Sequence, residues 1–184
     1  MEQTDNCDLK CIERILRGES QEFSEIVKRH QESVIRIVWR LSSDYHHAED
    51  IAQEAFIKAH DHLGSFDPEK GKFSNWLYAI ATNLGRNAHR KIKPFSSDDL
   101  RQIEESSFES PALTLERREQ FERLDRALNR LEEPFRTSFI LAEIEEIPLS
   151  DIAEIESAPT GTIKSRISRA KDKLRTILTL QHES

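Results

Sequence analysis

Residues 148–175 read PLSDIAEIESAPTGTIKSRISRAKDKLR, a short apolar-periodic segment, a break at Ala158-Pro159 and a longer basic segment. This is helix-turn-helix order, which sets the second helix in the major groove of DNA. In that helix Ile163, Ile167, Ala170, Leu174 and Ile177 fall on one stripe, and Thr162, Lys164, Ser165, Ser168 and Arg169 project away from it. Thr160 is placed to cap its start. Lys164, Arg166, Arg169, Lys171, Lys173 and Arg175 meet a single acid, Asp172, so one face packs while the other suits phosphates and base edges. The preceding helix offers Leu149, Ile152, Ala153 and Ile155.

Two helices so joined bury little alone. Upstream, Phe121, Leu124, Leu128 and Leu131 share a stripe, and Pro134 opens a helix carrying Phe135, Phe139, Ile140 and Leu141, enough for a small bundle. The whole chain has 184 residues, 36% hydrophobic and 33% charged with only 5 Gly, and it lacks the alternating pattern of strands. An all-α fold of two small helical domains follows. There is no apolar run long enough to cross a membrane, and the start MEQTDNCDLK is unlike a secretory signal, so a cytoplasmic protein is expected. Cys7 and Cys11 imply neither a disulfide scaffold nor a complete zinc site.

The net charge of −7 argues against strong unaided binding to duplex DNA. Its distribution matters more. From Lys70 to Ser97 there is no acid, against Lys70, Lys72, Arg86, Arg90, Lys91 and Lys93; from Glu143 to Glu156 there is no base. Basic patches on an acidic body predict DNA contact assisted by another protein.

In the N-terminal half, Gly18 ends a first helix and Ser20 begins a second, with Phe23, Ile26, Val27, Val34, Val38 and Leu41 at helical spacing. Ser43 or Asp44 starts a third, with Ala48, Ile51, Ala52, Ala55, Phe56, Ala59 and Leu63 inward, ended by Gly64. The loop SFDPEKGK leads to a fourth, with Phe73, Trp76, Leu77, Ile80, Ala81 and Leu84 inward, closed by Pro94. Composition then turns to Pro, Ser and acids, as in a flexible acidic linker. The predicted organisation is a domain over 9–93, a linker over 94–114 and a helix-turn-helix domain over 115–180.

On the third helix Asp50, Gln53 and Glu54 share a face by i, i+3, i+4 spacing, directed away from the apolar stripe. That face is either solvated or a docking surface. The next segment, FSNWLYAIATNLGRNAHRK, sets aromatics beside polar and basic residues that can stack unpaired bases and hold phosphates, although core packing also accounts for Phe73 and Trp76.

AEDIAQEAF, FSNWLYAIATN, an acidic linker, SDIAEI and GTIKSRISRAKDKLR, in this order and over nearly all the chain, closely resemble the bacterial extracytoplasmic-function (ECF) sigma factors, group IV of the primary-sigma family. The resemblance implies a transcription initiation factor that directs core RNA polymerase to promoters and helps melt them, without enzymatic activity, cofactor, metal or small-molecule substrate. It implies that Asp50, Gln53 and Glu54 dock on the β′ coiled coil of the polymerase, with β a further contact. The loop from Ser65 to Lys72, with Phe66, Asp67, Lys70 and Lys72, would capture a flipped −10 base. Trp76, Asn83, Arg86, Asn87 and Arg90 would contact the opened −10 strand or its upstream edge. Thr162, Lys164, Ser165, Arg166, Ser168 and Arg169 would meet the −35 element. The family further implies an anti-sigma factor that covers the polymerase-binding face and can hold the protein at the inner membrane.

Three positions depart from the family pattern. Ser157 stands where Gly is usual in the turn, Asn87 where Asp is common, and Glu146 and Pro148 where Gly-x-Ser often precedes the first helix of the motif. Ser157 must adopt the turn's backbone at greater cost than Gly. The competing readings are a stand-alone helix-turn-helix regulator, whose usual α/β sensor domain this half lacks, and a helical carboxylate metalloenzyme. For the latter, His46, His47, Glu49, Asp50 and Glu54 are present, but the Glu-x-x-His signature of di-iron bundles is not.

Overall fold

The computed structural model describes residues 2–43, 47–91 and 123–180, and no strand occurs among them. The N-terminal unit comprises α1 (Glu2–Leu16), α2 (Phe23–Ser42), α3 (Ala48–Asp61) and α4 (Phe73–Lys91). The C-terminal unit comprises α5 (123–128), α6 (Glu133–Phe139), α7 (Leu149–Ile155) and α8 (Thr160–Leu180). Asp44, His46 and the whole linker lie outside the described residues.

The apolar stripes do the packing. Ile26, Val34, Ile37, Val38 and Leu41 of α2 are fully buried against Ala52 and Ala55 of α3 and Phe73, Leu77 and Ala81 of α4. Close approach of α2 and α4 depends on Gly85, where a Cβ would lie 3.0 Å from Leu41 Cβ. His30 sits in the same α2 stripe and its Nε2 is 2.8 Å from the fully buried Asp8 carboxylate, which also pairs with Arg29. This charge cluster, unforeseen in the sequence, fastens α1 to α2, because a buried carboxylate must be paired. Cys11 Sγ lies 3.7 Å from Arg29 Nη2, and Cys7 is exposed.

Several boundaries differ from expectation. Ser43 does not start α3 but closes α2 in the left-handed conformation, φ 57°, its N–H bonding the Trp39 carbonyl. Thr160 is the first helical residue of α8 and does not cap it; the Pro159 carbonyl takes the Thr162 and Ile163 N–H groups. α6 runs on into a π-helical turn over Ile140–Ile144, where Glu145 N–H reaches Ile140 O at 3.0 Å.

In the C-terminal unit Leu128, Leu131, Ile140, Leu141, Ile152, Ile155, Ile163, Ile167, Ala170 and Leu174 form the core. On α6, however, Arg136, Thr137 and Ser138 are more buried than Phe135 and Phe139. The reason is that Arg136 and Thr137 face the N-terminal unit, whereas Ser138 turns to Glu156 within its own unit. Arg136 donates to the Leu41 carbonyl at the end of α2, capping one of the carbonyls a helix C-terminus leaves unpaired.

Candidate nucleic-acid interface

α8 carries its side chains as its periodicity requires. Ile163, Ile167, Ala170 and Leu174 point inward, whereas Thr162, Lys164, Ser165, Ser168 and Arg169 are exposed along one continuous strip. Arg166 is different. Its Nη1 lies 2.6 Å from Oε2 of Glu156, which is itself almost fully buried at the end of α7. The other Glu156 oxygen accepts from Ser138 at 3.0 Å. Arg166 therefore ties the two helices of the motif together.

The turn between them has Ser157 at φ 48°, and the approach to α7 has Glu146 at φ 53°. Both are left-handed positions that favour glycine. The strain anticipated at Ser157 from sequence is real, and Glu146 shares it.

In the N-terminal unit the loop before α4 rests on an aromatic cluster. The Phe66 ring lies 5.5 Å from Phe73 and 5.7 Å from Trp76, with Trp76 5.7 Å from Phe73. Trp76 is half-buried as the floor of the loop. Asp67 organises the loop's turn: its carboxylate accepts the Glu69 N–H at 3.1 Å and pairs with Lys70 at 3.1 Å. The Lys70 bond, followed by the backbone one, holds Asp67 below the usual carboxylate range. Lys70 is itself exposed.

The remaining −10 candidates divide in two. Asn83 and Asn87 are open. Lys72, Arg86 and Arg90 instead meet acids of the C-terminal unit. Lys72 Nζ is 2.9 Å from Asp151, a bond that raises the lysine pKa. Arg86 lies 3.3 Å from Glu156 and 3.6 Å from Glu133, and its Nε donates to Thr137 at 3.1 Å. Arg90 is 3.5 Å from Glu133 and bonds Asn87 at 2.6 Å.

Asp50, Gln53 and Glu54 are all exposed on α3, over the buried Ala52, Ala55 and Phe56. Ile57, 60% exposed, continues that strip one turn on. Sequence reasoning passed over Ile57, although the i+7 spacing from Asp50 would have found it. It also passed over Asn75 and Thr82, both buried on the polar side of α4. Among the described residues no group of three or more His, Cys, Asp or Glu could hold a metal, and no helix is long and apolar enough to cross a membrane.

Two small helical units, one built around a helix-turn-helix and the other presenting an acidic strip and a basic-aromatic face, define a multi-part nucleic-acid-binding protein. Residues 26–94 match the family model of Sigma-70 region 2 and residues 121–174 that of Sigma-70 region 4. The chain is 34% identical over 176 residues to the ECF RNA polymerase sigma factor SigW of Bacillus subtilis, covering 90% of this chain and 94% of that protein. It is 33% identical to the RNA polymerase sigma-H factor of Pseudomonas aeruginosa, with 93% of each covered. It superimposes with a TM-score of 0.73, at 21% identity over 95% of this chain and 98% of the other, on CnrH, solved in complex with the cytosolic domain of CnrY. A second likeness is RpoE of Bartonella quintana, solved with the anti-sigma factor NepR: TM-score 0.65, 24% identity, 86% and 98% covered. The chain belongs to the ECF RNA polymerase sigma factors. It is a transcription initiation factor and not an enzyme.

Proposed function

We propose that the two units divide promoter reading between them, with the exposed strip of α8 as the observation that carries the assignment. Thr162, Lys164, Ser165, Ser168 and Arg169 read the −35 major groove and its phosphates; Arg166 steadies the motif through Glu156. The loop of Phe66, Asp67, Lys70 and Lys72 accepts a flipped −10 base above Trp76. Asn83, Arg86, Asn87 and Arg90 hold the opened strand and its upstream edge. Asp50, Gln53 and Glu54, continued by Ile57, form the strip that docks on the β′ coiled coil, and β contributes a further contact. The domain limits proposed from sequence are 9–93 and 115–180 about a linker over 94–114, and the family matches over 26–94 and 121–174 lie close to them. An anti-sigma factor, like the one named with the Bartonella quintana relative, is the regulatory partner, and cytoplasmic residence follows from the polymerase it serves.

Run-off transcription on genomic promoter fragments, with core enzyme in the presence and absence of this chain, tests the reading. Chain-dependent starts at a shared −35/−10 pair are expected. Starts that persist after Ser165→Ala with Arg169→Ala would remove α8 from −35 recognition.

A further inference from the structure

The contact between the two units has an unusual composition. It is built from charge, and three of the cations it uses on the N-terminal side, Lys72, Arg86 and Arg90, are assigned above to −10 DNA. Lys72 faces Asp151, Arg86 faces Glu156 and Glu133, and Arg90 faces Glu133. Arg36 Nε adds Glu145 at 3.0 Å, and Asn75 donates to Glu154 at 2.7 Å. Glu154 also lies over Gly71, where a Cβ would come within 2.8 Å of its carboxylate.

Apart from Glu133, the acids concerned belong to the run from Glu143 to Glu156 that contains no base. Glu145 and Glu156 have side chains only 4% and 2% exposed, and Asp151 10%. Carboxylates on a small surface helix reach such burial only when paired. A carboxylate and a phosphate offer a guanidinium or ammonium the same anionic oxygens. A cation held by one is withdrawn from the other.

We propose that the chain masks itself: in the free protein Asp151, Glu154, Glu156 and Glu133 stand in for promoter phosphates on the −10-reading face, with Arg136 keyed into the end of α2 to hold the register. The proposal rests on the −10 assignment above. Engagement of the −10 strand then requires the units to part, and DNA competes with the protein's own acids for the same cations. The apparent affinity of the free chain falls in proportion to its undocked fraction, so docking of roughly nine-tenths of the molecules weakens it about tenfold.

Ser43 and Asn129 report the docked state directly, since their Oγ and Oδ1 atoms lie 2.8 Å apart across the contact. In a Cys7→Ser, Cys11→Ser background, Ser43→Cys with Asn129→Cys should oxidise to an intramolecular disulfide. The oxidised chain should bind a fluorescein-labelled single-stranded DNA at least about tenfold more weakly than the same chain after reduction. With core enzyme it should form no open complex until reduced. A double variant that is folded by circular dichroism yet forms no disulfide, or that binds DNA and opens promoters equally in both states, overturns the masking. A reduced chain that opens no promoter means that the promoter-reading assignment itself has failed. Small-angle scattering from the parent chain probes the docked state independently of any substitution. A compact profile at low salt that expands at high salt supports the proposal, and an extended profile at low salt overturns it.

Discussion

Arg136→Ala perturbs the docking contact at the point where opposing energies are most nearly balanced. Arg136 is 2% exposed and, across the contact, donates to the Leu41 carbonyl and, at 2.7 Å, to His89 Nε2. Hydrogen bonds from a charged donor contribute about 1.5–3 kcal/mol each, so the two together contribute about 3–6 kcal/mol. Against this, burial lowers the Arg136 pKa from 12.5 to about 10; at about 1.4 kcal/mol per unit the charge costs about 3 kcal/mol to keep in place. Its Nε also finds no acceptor. The balance is about 1.5 kcal/mol in favour of docking, roughly tenfold in the equilibrium. Small-angle scattering or the rate of disulfide formation between residues 43 and 129 reads that change directly. Arg136→Met keeps part of the packing without the donors and should lie between alanine and the parent. A methionine variant that docks as tightly as the parent would refute the balance, because it would mean that the bonds never exceed the cost of burying the charge.

Docking should also depend on pH through His89, whose pKa is lowered by burial and then by Arg136, which lies 2.7 Å from its Nε2; Glu133 and the Ser42 carbonyl oppose the shift. Since the docked pKa is below the ordinary 6.5, the contribution is fully present above that value and is lost as pH falls beneath it, so scattering should show opening on acidification that His89→Gln flattens. Asp50→Lys with Glu54→Lys should abolish core-polymerase pull-down while circular dichroism stays unchanged, because both side chains are exposed; retained binding would remove this strip from docking. Ser165→Ala or Arg169→Ala should each cost about 1–3 kcal/mol of −35 recognition, measured on promoters altered only at −35, and spare melting of the −10 segment. Ser157→Gly should stabilise the C-terminal unit by about 0.5–1 kcal/mol in thermal unfolding, the relief at φ 48° exceeding the added chain entropy; a lower midpoint would contradict that.

The sequence was legible wherever a side chain answers to its own helix. α8 is the clearest example: its apolar period fixes which residues turn inward, and the complementary strip follows without knowledge of any neighbour. Asp50, Gln53 and Glu54 were found in the same way. The reading failed where burial is imposed from another element. Nothing in the local period of α6 indicates that Arg136, Thr137 and Ser138 should be more buried than Phe135, because the N-terminal domain covers the first two and Glu156 at the end of α7 takes the third. Asp8 and His30 likewise acquire their roles only when α1 meets α2. Charge composition did carry a trace of the missing contact. An acid-free run from Lys70 to Ser97 and a base-free run from Glu143 to Glu156 lie in different domains, and they supply complementary partners across one interface, Lys72 to Asp151 and Arg86 to Glu156. Segregated charge was read as DNA contact by basic patches on an acidic body, with no partner assigned to the acidic run. Opposite blocks within a single chain are also each other's nearest source of counter-charge, at an effective concentration set by the linker that joins them. For a promoter-binding protein of net charge −7, the acidic block makes promoter affinity a contest between domain docking and DNA, and a partner that draws the domains apart decides that contest without itself touching a base.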